Sequence, residues 1–420
     1  MAEQLHRKFS NSQVKSLIES YIRKEIELSY ILSILGIGRS RFFEILKTYR
    51  QNKGAFSIDY SRGSINRKIG AEAEASILTE LNIEKSLIED KSNPIKHYNY
   101  SYIKDRLASD YGHKVSLPTI IDRAKKYGFY DKAKKKKAHD REVLTNYAGE
   151  LLQHDSSKHK WSPYAENYWY LITTLDDYSR KILYGDFLES ETSWAHIVVM
   201  EYICLKYGIP FSFYVDSHSI FRFVQKRDSF WRKHIKVTDE VDPQFKQVLD
   251  ELSIKIIYAL SPQAKGKIER PYGWLQDRIV RICAREGIKD IKDAREVLAS
   301  ELKRYNSYQV HSTTGEVPDI RFYRAVDEKR SLFREFIIPA PYVSTKDVFA
   351  LRDNRMVNAY HKISLKNLEL TVPKVPLRER VSLRIVHDMT TGIAEIRFWY
   401  AKNLVEITNV KNEDLSIPNF

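Results

Sequence analysis

Cysteine is nearly absent from this sequence of 420 residues, which contains two, Cys204 and Cys283. Two thiols cannot form a disulfide framework or a cysteine-rich zinc site, so both of those classes are excluded. No apolar stretch approaches the length of a membrane span, and the first residues, MAEQLHRKFSNSQ, have no apolar signal-peptide core. We therefore expect a soluble, cytoplasmic protein without a membrane partner.

Acidic residues are outnumbered by basic ones. Lys and Arg total 69 against 55 Asp and Glu, which gives a formal charge of +14 and a pI near 9.3. Because the basic residues occur in clusters, this excess favours phosphate-rich partners, and nucleic acid first, over a merely basic soluble protein. The apolar content of 43% is sufficient for folded cores, and the length predicts two to four structural units.

Residues 12–50 have apolar positions at helical spacing, interrupted by a glycine-containing turn. We predict a short helix that ends at Gly36 and a second helix that starts near Arg39. This pattern is typical of a helix-turn-helix, whose second helix would enter the major groove of DNA with Arg39 and Arg41 as candidate contacts. An ordinary helical hairpin is the alternative.

A second pair of helices is predicted between residues 97 and 129, after a helical stretch at 70–90. Its second helix starts at Ser116, with Pro118 in the first turn. The basic run DKAKKKKAHDR, residues 131–141, is either a solvated linker or a segment that follows the DNA backbone. The residues predicted to lie along phosphates in this region are Arg123, Lys125, Lys126, Lys135 and Lys136.

From about residue 148 the sequence changes to three strands followed by alternating helices and strands. That order predicts an α/β domain in which the later strands pair in parallel. Short strands beyond about residue 340 predict a small β-barrel or sandwich. The predicted segments are a helix-turn-helix unit (1–52), a linker (53–69), a second, winged-helix-like unit (70–131), a basic linker (132–147), the α/β core (148–327) and the β-barrel (340–412).

Three carboxylates of the α/β domain lie on elements that can meet at one edge of its sheet. Asp155 lies on the first strand, Asp216 closes the fourth, and Glu269 lies two turns into the helix after the fifth. The element order allows the first and fourth strands to lie side by side, with the following helix leaning over their edge. Three oxygen ligands from separate elements suit a pair of Mg²⁺ ions, for which Mn²⁺ would substitute. Such a pair promotes phosphoryl displacement by a water or a 3′-hydroxyl.

The stretch SPQAKGKIER, residues 261–270, predicts the start of that helix, with Ser261 as its N-cap. Lys265 and Gly266 would lie one turn before Glu269 on the same side, where the lysine holds a DNA phosphate. A surface Lys265–Glu269 ion pair, worth about 0.2–0.5 kcal/mol, is the alternative. The candidate DNA contacts of this stretch are Gln263, Lys265, Lys267 and Arg270.

Other polar residues compete with these three acids. Asp176 and Asp177 fit a hairpin turn, whereas Asp186 is in mid-strand and is retained as a weaker alternative. Asp242, before Pro243, is predicted to cap a helix. The nearby histidines are interpreted as polar neighbours rather than proton-transfer groups; they are His154, His159 and His218.

YVDSHSIF together with SPQAKGKIERPYGWLQDR resembles the retroviral-integrase-type DDE transposases, and within them the ISNCY-type bacterial insertion-sequence transposases. The resemblance covers about residues 148–325 and the upstream helix-turn-helix region. It implies an RNase H-like catalytic core, an SH3-like C-terminal barrel and a cytoplasmic, nucleoid-associated enzyme of a prokaryotic host. It also implies Asp155, Asp216 and Glu269 as the catalytic metal ligands and Lys265 at the DNA end.

Two features depart from that family. The stretch between Asp216 and Glu269 is longer than usual and contains FRFVQKRDSFWRKHIKVTDE, whose basic and aromatic residues suggest a DNA-contacting loop. Pro271 lies inside the catalytic helix, where it removes a backbone donor and is expected to kink the helix.

The leading hypothesis is a DNA transposase that binds the terminal inverted repeats of a mobile element as a dimer or higher oligomer. It would use Mg²⁺ to cleave the 3′ ends and join them to target DNA. A non-catalytic, transposase-derived DNA-binding regulator is the alternative, and the intact triad favours the enzyme. An RNase H-like nuclease is a third hypothesis, disfavoured by the two upstream DNA-reading units.

Overall fold

A computed structural model of the protein describes residues 5–59, 69–131, 145–215, 244–258, 266–366 and 368–415, with the backbone alone at 7 and 266–271. The chain forms two compact units, Met1–Ala71 and Glu72–Phe420. In the described ranges, no helix is both long enough and apolar enough to cross a bilayer. The finer division into six segments stays a prediction.

The first unit is helical throughout its described elements. Its helices are α1 (Leu5–Lys8), α2 (Asn11–Ile22), α3 (Leu28–Leu35) and α4 (Arg39–Gln51). The chain leaves α3 through Gly36, whose φ of 61° is a left-handed conformation that glycine adopts without strain. Val14, Ile31 and Phe42 come from three different helices and are fully buried in one core. The predicted pair of helices is therefore confirmed, whereas a DNA-reading helix-turn-helix is not.

The second unit begins with three helices, α5 (Ala71–Glu89), α6 (Tyr100–Asp110) and α7 (Leu117–Lys126). Helix α7 starts as predicted, because the Ser116 side chain accepts from the backbone N–H of Thr119 and proline occupies the first turn. The predicted helical stretch at 70–90 forms the single helix α5.

A five-stranded mixed sheet forms the centre of the second unit. Its strands are β1 (Leu152–His159), β2 (Trp169–Asp176), β3 (Ile182–Leu188), β4 (Ser212–Val215) and β5 (Lys255–Tyr258). They lie in the order β3-β2-β1-β4-β5. β2 is antiparallel to both β1 and β3, and β4 is parallel to both β1 and β5. The predicted strand succession and the adjacency of the first and fourth strands are confirmed.

Helices cover both faces of this sheet. They are α8 (Ser193–Lys206), α9 (Gln244–Glu251), α10 (Gly266–Glu286) and α11 (Ile291–Ser307). Because side chains alternate along a strand, Ile172 of β2 packs with α8 and α9 while its neighbour Leu171 packs with α10 and α11. The α-helix continues through Pro271 to Glu286, so the proline does not end it.

Buried ion pairs attach the first helices of this unit to α10. Arg281 bonds to Glu84 of α5, and both side chains are almost fully buried. Arg285 pairs with Glu80 at 2.7 Å. Burial raises the pKa of Glu84 to about 7 in spite of the charge on Arg281. Removing one partner of such a pair leaves an uncompensated buried charge, so these contacts fix the position of α5 on α10.

The C-terminal region adds two helices and two sheets. The elements are α12 (Pro318–Asp327), α13 (Thr345–Val348), β6 (Leu351–Met356), β7 (Lys362–Leu365), β8 (Leu368–Thr371), β9 (Arg380–Asp388), β10 (Ile393–Tyr400) and β11 (Asn403–Lys411). An antiparallel sheet has the order β11-β10-β9-β6, and β7 pairs with β8.

The all-β character of this region is confirmed, but an SH3-like barrel is not. In the part of the chain that the structure describes, β11 and β6 are the edges of an open four-stranded sheet. Leu383 and Phe398 of this sheet are fully buried in the same apolar cluster as Phe213 and Val248 of the α/β core. The sheet thus buries its apolar face against the core, and closure into a barrel is not needed for that burial.

Candidate active site

Asp155 lies in the middle of β1, directly opposite Thr173 of β2. Two residues further along β1, Ser157 accepts a hydrogen bond of 3.1 Å from the Gln276 side chain of α10. Residues two apart on a strand share a face, so Asp155 also lies on the α10 side of the sheet. Its side chain is half-buried.

Tyr272 of α10 connects this helix to β1 at the level of Asp155. Its hydroxyl donates to the backbone carbonyl oxygen of Asp155 at 2.6 Å and accepts from the hydroxyl of Thr173 at 2.8 Å. Burial, and to a smaller extent the nearby charge of Asp155, raises the pKa of Tyr272 well above its ordinary value. The phenol therefore keeps its proton, and with it the hydrogen bond to β1.

The other two predicted acids are placed less completely. Glu269 belongs to α10 and lies one turn before Tyr272, although its side chain lies outside the described atoms. Asp216 lies outside the described residues, and β4 ends immediately before it at Val215. In the described part of the chain, no group of three His, Cys, Asp or Glu side chains is arranged to hold a metal ion.

The remaining residues of the predicted helix start are only partly described. Lys267 and Arg270 belong to α10, with backbone alone described, whereas Gln263 and Lys265 lie outside the described residues. The predicted cap at Ser261 lies outside them as well. The roles of these residues in DNA binding stay predictions.

The opposite face of β1 carries a buried polar network. His154 and His196 join through their ring nitrogens at 2.7 Å, and His196 contacts Glu191 at 3.0 Å. Glu191 also accepts from the hydroxyl of Ser156. The His154 ring bonds to Thr174 and therefore points away from the Asp155 side. This placement agrees with the interpretation of His154 as a polar neighbour; the partners His196 and Glu191 were not foreseen.

The competing aspartates have other partners. Asp186 of β3 pairs with Arg295 at 2.9 Å, and β2 separates its strand from β1, so it does not belong to the site. Asp176 accepts from the backbone N–H groups of Gly149 and Ser179, each at 2.9 Å, as a turn residue does. Burial raises the pKa of Asp176 to about 6. Asp242 and His218 lie outside the described residues.

The predicted DNA contacts of the first unit lie at the start of α4. Arg39 lies over the Phe43 ring at 5.9 Å, and the exposed Arg41 pairs with Glu44 at 2.8 Å. Both arginines are at the solvent-facing end of the second helix of the pair, where the prediction put them. Their contact with DNA stays a prediction.

The basic residues of α7 differ in their surroundings. Arg123 forms two 2.7 Å contacts with the carboxylate of Glu74, so a phosphate would have to displace that acid. Lys125 and Lys126 are exposed and lie over the rings of Tyr130 and Tyr127. Lys135 and Lys136 lie outside the described residues.

Comparison with known proteins gives two bacterial relatives, while no protein-family model matches the chain. A putative transposase, y4bF, of Sinorhizobium fredii is 32% identical over 203 residues, which is 48% of this chain and 43% of that protein. The transposase of insertion sequence IS1202 of Streptococcus pneumoniae is 29% identical over 234 residues, 55% of this chain and 44% of the relative. The chain thus spans less than half the length of each relative. These matches support similarity to transposases and do not confirm the ISNCY type.

Solved structures of retroviral integrases are more distant. A simian T-cell lymphotropic virus intasome in complex with the PP2A regulatory subunit B56γ aligns with a TM-score of 0.36 and 12% identity over 72% of this chain and 90% of that chain. The HTLV-2 integrase catalytic core domain in complex with magnesium aligns with a TM-score of 0.30 and 16% identity, over 41% of this chain and 94% of that chain.

Proposed function

We propose that the protein is a DNA transposase of the DDE class, related to the ISNCY type, that cleaves the 3′ ends of a mobile element and joins them to target DNA. The observation that supports this most is the pair of hydrogen bonds through Tyr272. The bond to the Asp155 carbonyl oxygen holds β1, and the bond from Thr173 holds β2, against α10 one turn after Glu269. Similarity to two transposases over about half of the chain points to the same activity.

Asp216 is proposed as the third acid on the basis of the strand register. In the parallel pair of β1 and β4, Leu152 lies opposite Phe213 and Gln153 opposite Tyr214. The same offset relates Asp155 to Asp216. The three acids would then come from two neighbouring strands and the helix that covers them.

The donor set fits Mg²⁺, because three carboxylates offer the hard oxygen atoms that this cation prefers. Asp155, Asp216 and Glu269 would hold the metal, and we propose two ions with Mn²⁺ as a substitute. When bound, such ions activate an attacking hydroxyl and stabilise a leaving oxygen. The chain's own part is to orient Asp155 through β1 and to fix α10 through Tyr272, so that the ligands are held before DNA arrives.

The DNA partner is proposed from charge. The net charge of +14 favours a polyanion. We propose that α4 of the first unit reads the element ends as a helix-turn-helix, that the basic residues of α7 and of the start of α10 contact phosphates, and that two copies or more act together on two ends.

A cleavage and joining assay tests this function. Purified protein with Mg²⁺ or Mn²⁺ is mixed with labelled DNA carrying the element's ends and with a supercoiled target plasmid. We expect joined products from the wild type and from the control Glu286→Gln, which makes the same Glu-to-Gln change at the exposed far end of α10. Glu269→Gln should give none.

Other outcomes separate the competing functions. Joining by Glu269→Gln at the wild-type rate would contradict the proposal. Tight binding of the element ends without cleavage in either metal would favour a DNA-binding regulator. Cleavage of RNA–DNA hybrids without joining would favour a nuclease.

A further inference from the structure

A basic cavity of about 430 Å³ lies between the turn after β2, the segment before β1 and helix α12. Its described lining consists of Tyr178, residues 145–147 and three arginines, Arg321, Arg324 and Arg330. No carboxylate belongs to this described lining. The cavity is therefore walled by fixed positive charge and by hydrogen-bonding groups.

Tyr178 orders two of the guanidinium groups. Arg321 lies 4.3 Å from the centre of the Tyr178 ring and donates its Nε–H to the Tyr178 carbonyl oxygen at 2.9 Å. Arg330 lies 5.4 Å from the same ring centre and bonds to the Tyr178 hydroxyl. Tyr178 itself is 5% exposed, so it is a rigid support for both arginines.

Two glutamates outside the lining support the arginines. Glu316 bonds to Arg324, and Glu328 lies 3.4 Å from Arg330. The hydrogen bond from Arg324 holds the pKa of Glu316 below its ordinary value, so that carboxylate stays ionised. Three arginines against two glutamates leave a net positive charge. In the described contacts each guanidinium uses one or two of its five N–H groups, which leaves donors for a ligand with several oxygen atoms.

The cavity is separate from the candidate active site. Asp176, which ends β2 just before the turn, pairs with Leu152 at the start of β1. Asp155 lies three residues further along β1, which is about 10 Å at the rise of a strand. A ligand in the cavity would therefore bind at the other end of the sheet from the proposed metal ligands.

We propose that this cavity binds a phosphate group of the DNA backbone, as a second DNA contact remote from the cleavage edge. The fork geometry of arginine matches phosphate oxygens, and the lining offers three such forks. The choice of DNA as the source of the phosphate rests on the proposed function. A free phosphate ion is the other source with the same chemistry.

Salt dependence of DNA binding tests this proposal independently of catalysis. Labelled duplex DNA is titrated by fluorescence anisotropy over a range of salt concentrations, without divalent metal, in the full-length Glu269→Gln background. The test variant is Arg324→Gln, and the charge-retaining variant is Arg324→Lys. The control is Arg295→Gln, because the Arg295 side chain is 44% exposed and acid-paired, much as Arg324 is at 45%.

We expect the slope of log K against log salt to become less steep by about 0.9 for Arg324→Gln, the loss of one phosphate contact. Arg324→Lys and Arg295→Gln should keep the parent slope, and all variants should keep the parent melting temperature. Equal slopes for Arg324→Gln and the parent would overturn the proposal.

A second arm identifies the source of the phosphate. Inorganic phosphate is added to the same proteins, and the melting temperature is followed. If phosphate stabilises the parent but not Arg324→Gln while the DNA slope is unchanged, the cavity takes a free anion, and its role as a DNA contact is refuted. If Arg324→Gln loses both the stabilisation by phosphate and the steeper salt slope of DNA binding, the result supports the DNA contact. Because no step of the assay needs cleavage, its failure is distinguishable from failure of the transposase proposal.

Discussion

The two halves of α10 differ in the partners that their side chains contact. In the half near β1, Tyr272 and Gln276 bond to the strand that carries Asp155. In the far half, Arg278, Arg281 and Arg285 project at helical spacing and are all buried or nearly so. These arginines pair with acids of α5, α6, α11 and α10 itself rather than with solvent or a ligand.

This difference shows that a basic residue in a basic chain is not by itself a DNA contact. Arg278 pairs with Asp105 at 2.9 Å, and Arg281 and Arg285 pair with Glu84 and Glu80. These arginines fix the fold, whereas the proposed chemistry belongs to the opposite half of the helix. The predictions below test this division, from the largest expected effect to the smallest.

Asp155→Asn should reduce strand transfer by about 10³-fold or more if Asp155 is the metal ligand we propose, because such a ligand contributes several kcal/mol to transition-state stabilisation. The free energy of unfolding should change little, since Asp155 is half-buried. The control is Asp186→Asn, the same change on β3 of the same sheet, which should retain activity. Near-normal joining by Asp155→Asn would remove this residue from the site.

Arg281→Met should lower the free energy of unfolding by about 3–5 kcal/mol, because it leaves Glu84 buried without its cation. Urea denaturation provides the measurement. The double variant Arg281→Met/Glu84→Leu should recover most of the loss, since an apolar pair replaces the ion pair. A single variant as stable as the wild type would show that the far half of α10 does not depend on this pair.

Tyr272→Phe should lower strand transfer by about 10–100-fold, the usual effect of losing a group that orients a metal ligand. The concentration of Mn²⁺ needed for half-maximal binding should rise as well, which a purely structural role would not cause. Tyr305→Phe is the matched control: Tyr305 is buried in the same cluster, and within the described residues its hydroxyl has no hydrogen-bond partner. Equal behaviour of the two variants would contradict the role of Tyr272.

The pH dependence of stability should reveal Glu84. Its pKa is about 7 in the fold, above the ordinary 4.5, so the folded state retains a proton that the unfolded state loses. The contribution of Glu84 to the free energy of unfolding is complete below pH 4.5. It is lost as the pH rises through about 7, at a slope on the order of 1 kcal/mol per pH unit. Comparison of urea unfolding at several pH values should show a flatter profile for Glu84→Gln. An unchanged profile would refute the assignment.

The succession of strands along the chain and the adjacency of the first and fourth could be predicted from the sequence, because each strand has a distinct apolar pattern and the crossover rules restrict the connections. The three acids were predicted from their places on the first strand, at the close of the fourth strand and in the helix after the fifth, and their roles stay predictions. Tyr272 was missed as an orienting residue, because an aromatic residue at helical spacing has the same pattern as a core residue. Its two hydrogen-bond partners are visible only once β1 and β2 are paired.

Long-range partners and sheet closure lay beyond the sequence pattern. Arg281 and Glu84 are 197 positions apart, and nothing local in either helix indicates that they meet. The strands β6 to β11 have the short, alternating pattern of a barrel, but the apolar face of the sheet packs on the α/β core. Alternating apolar and polar residues along a strand indicate that one face of the sheet is buried, but they do not indicate what covers it.

Direct measurement of Mn²⁺ binding by electron paramagnetic resonance tests the central claim, that Asp155 and Glu269 hold metal where α10 crosses β1. We predict that Asp155→Asn and Glu269→Gln each lose most of the bound Mn²⁺, whereas Asp186→Asn and Glu286→Gln retain it. Mn²⁺ binding by the first two variants equal to that of the wild type would contradict this claim.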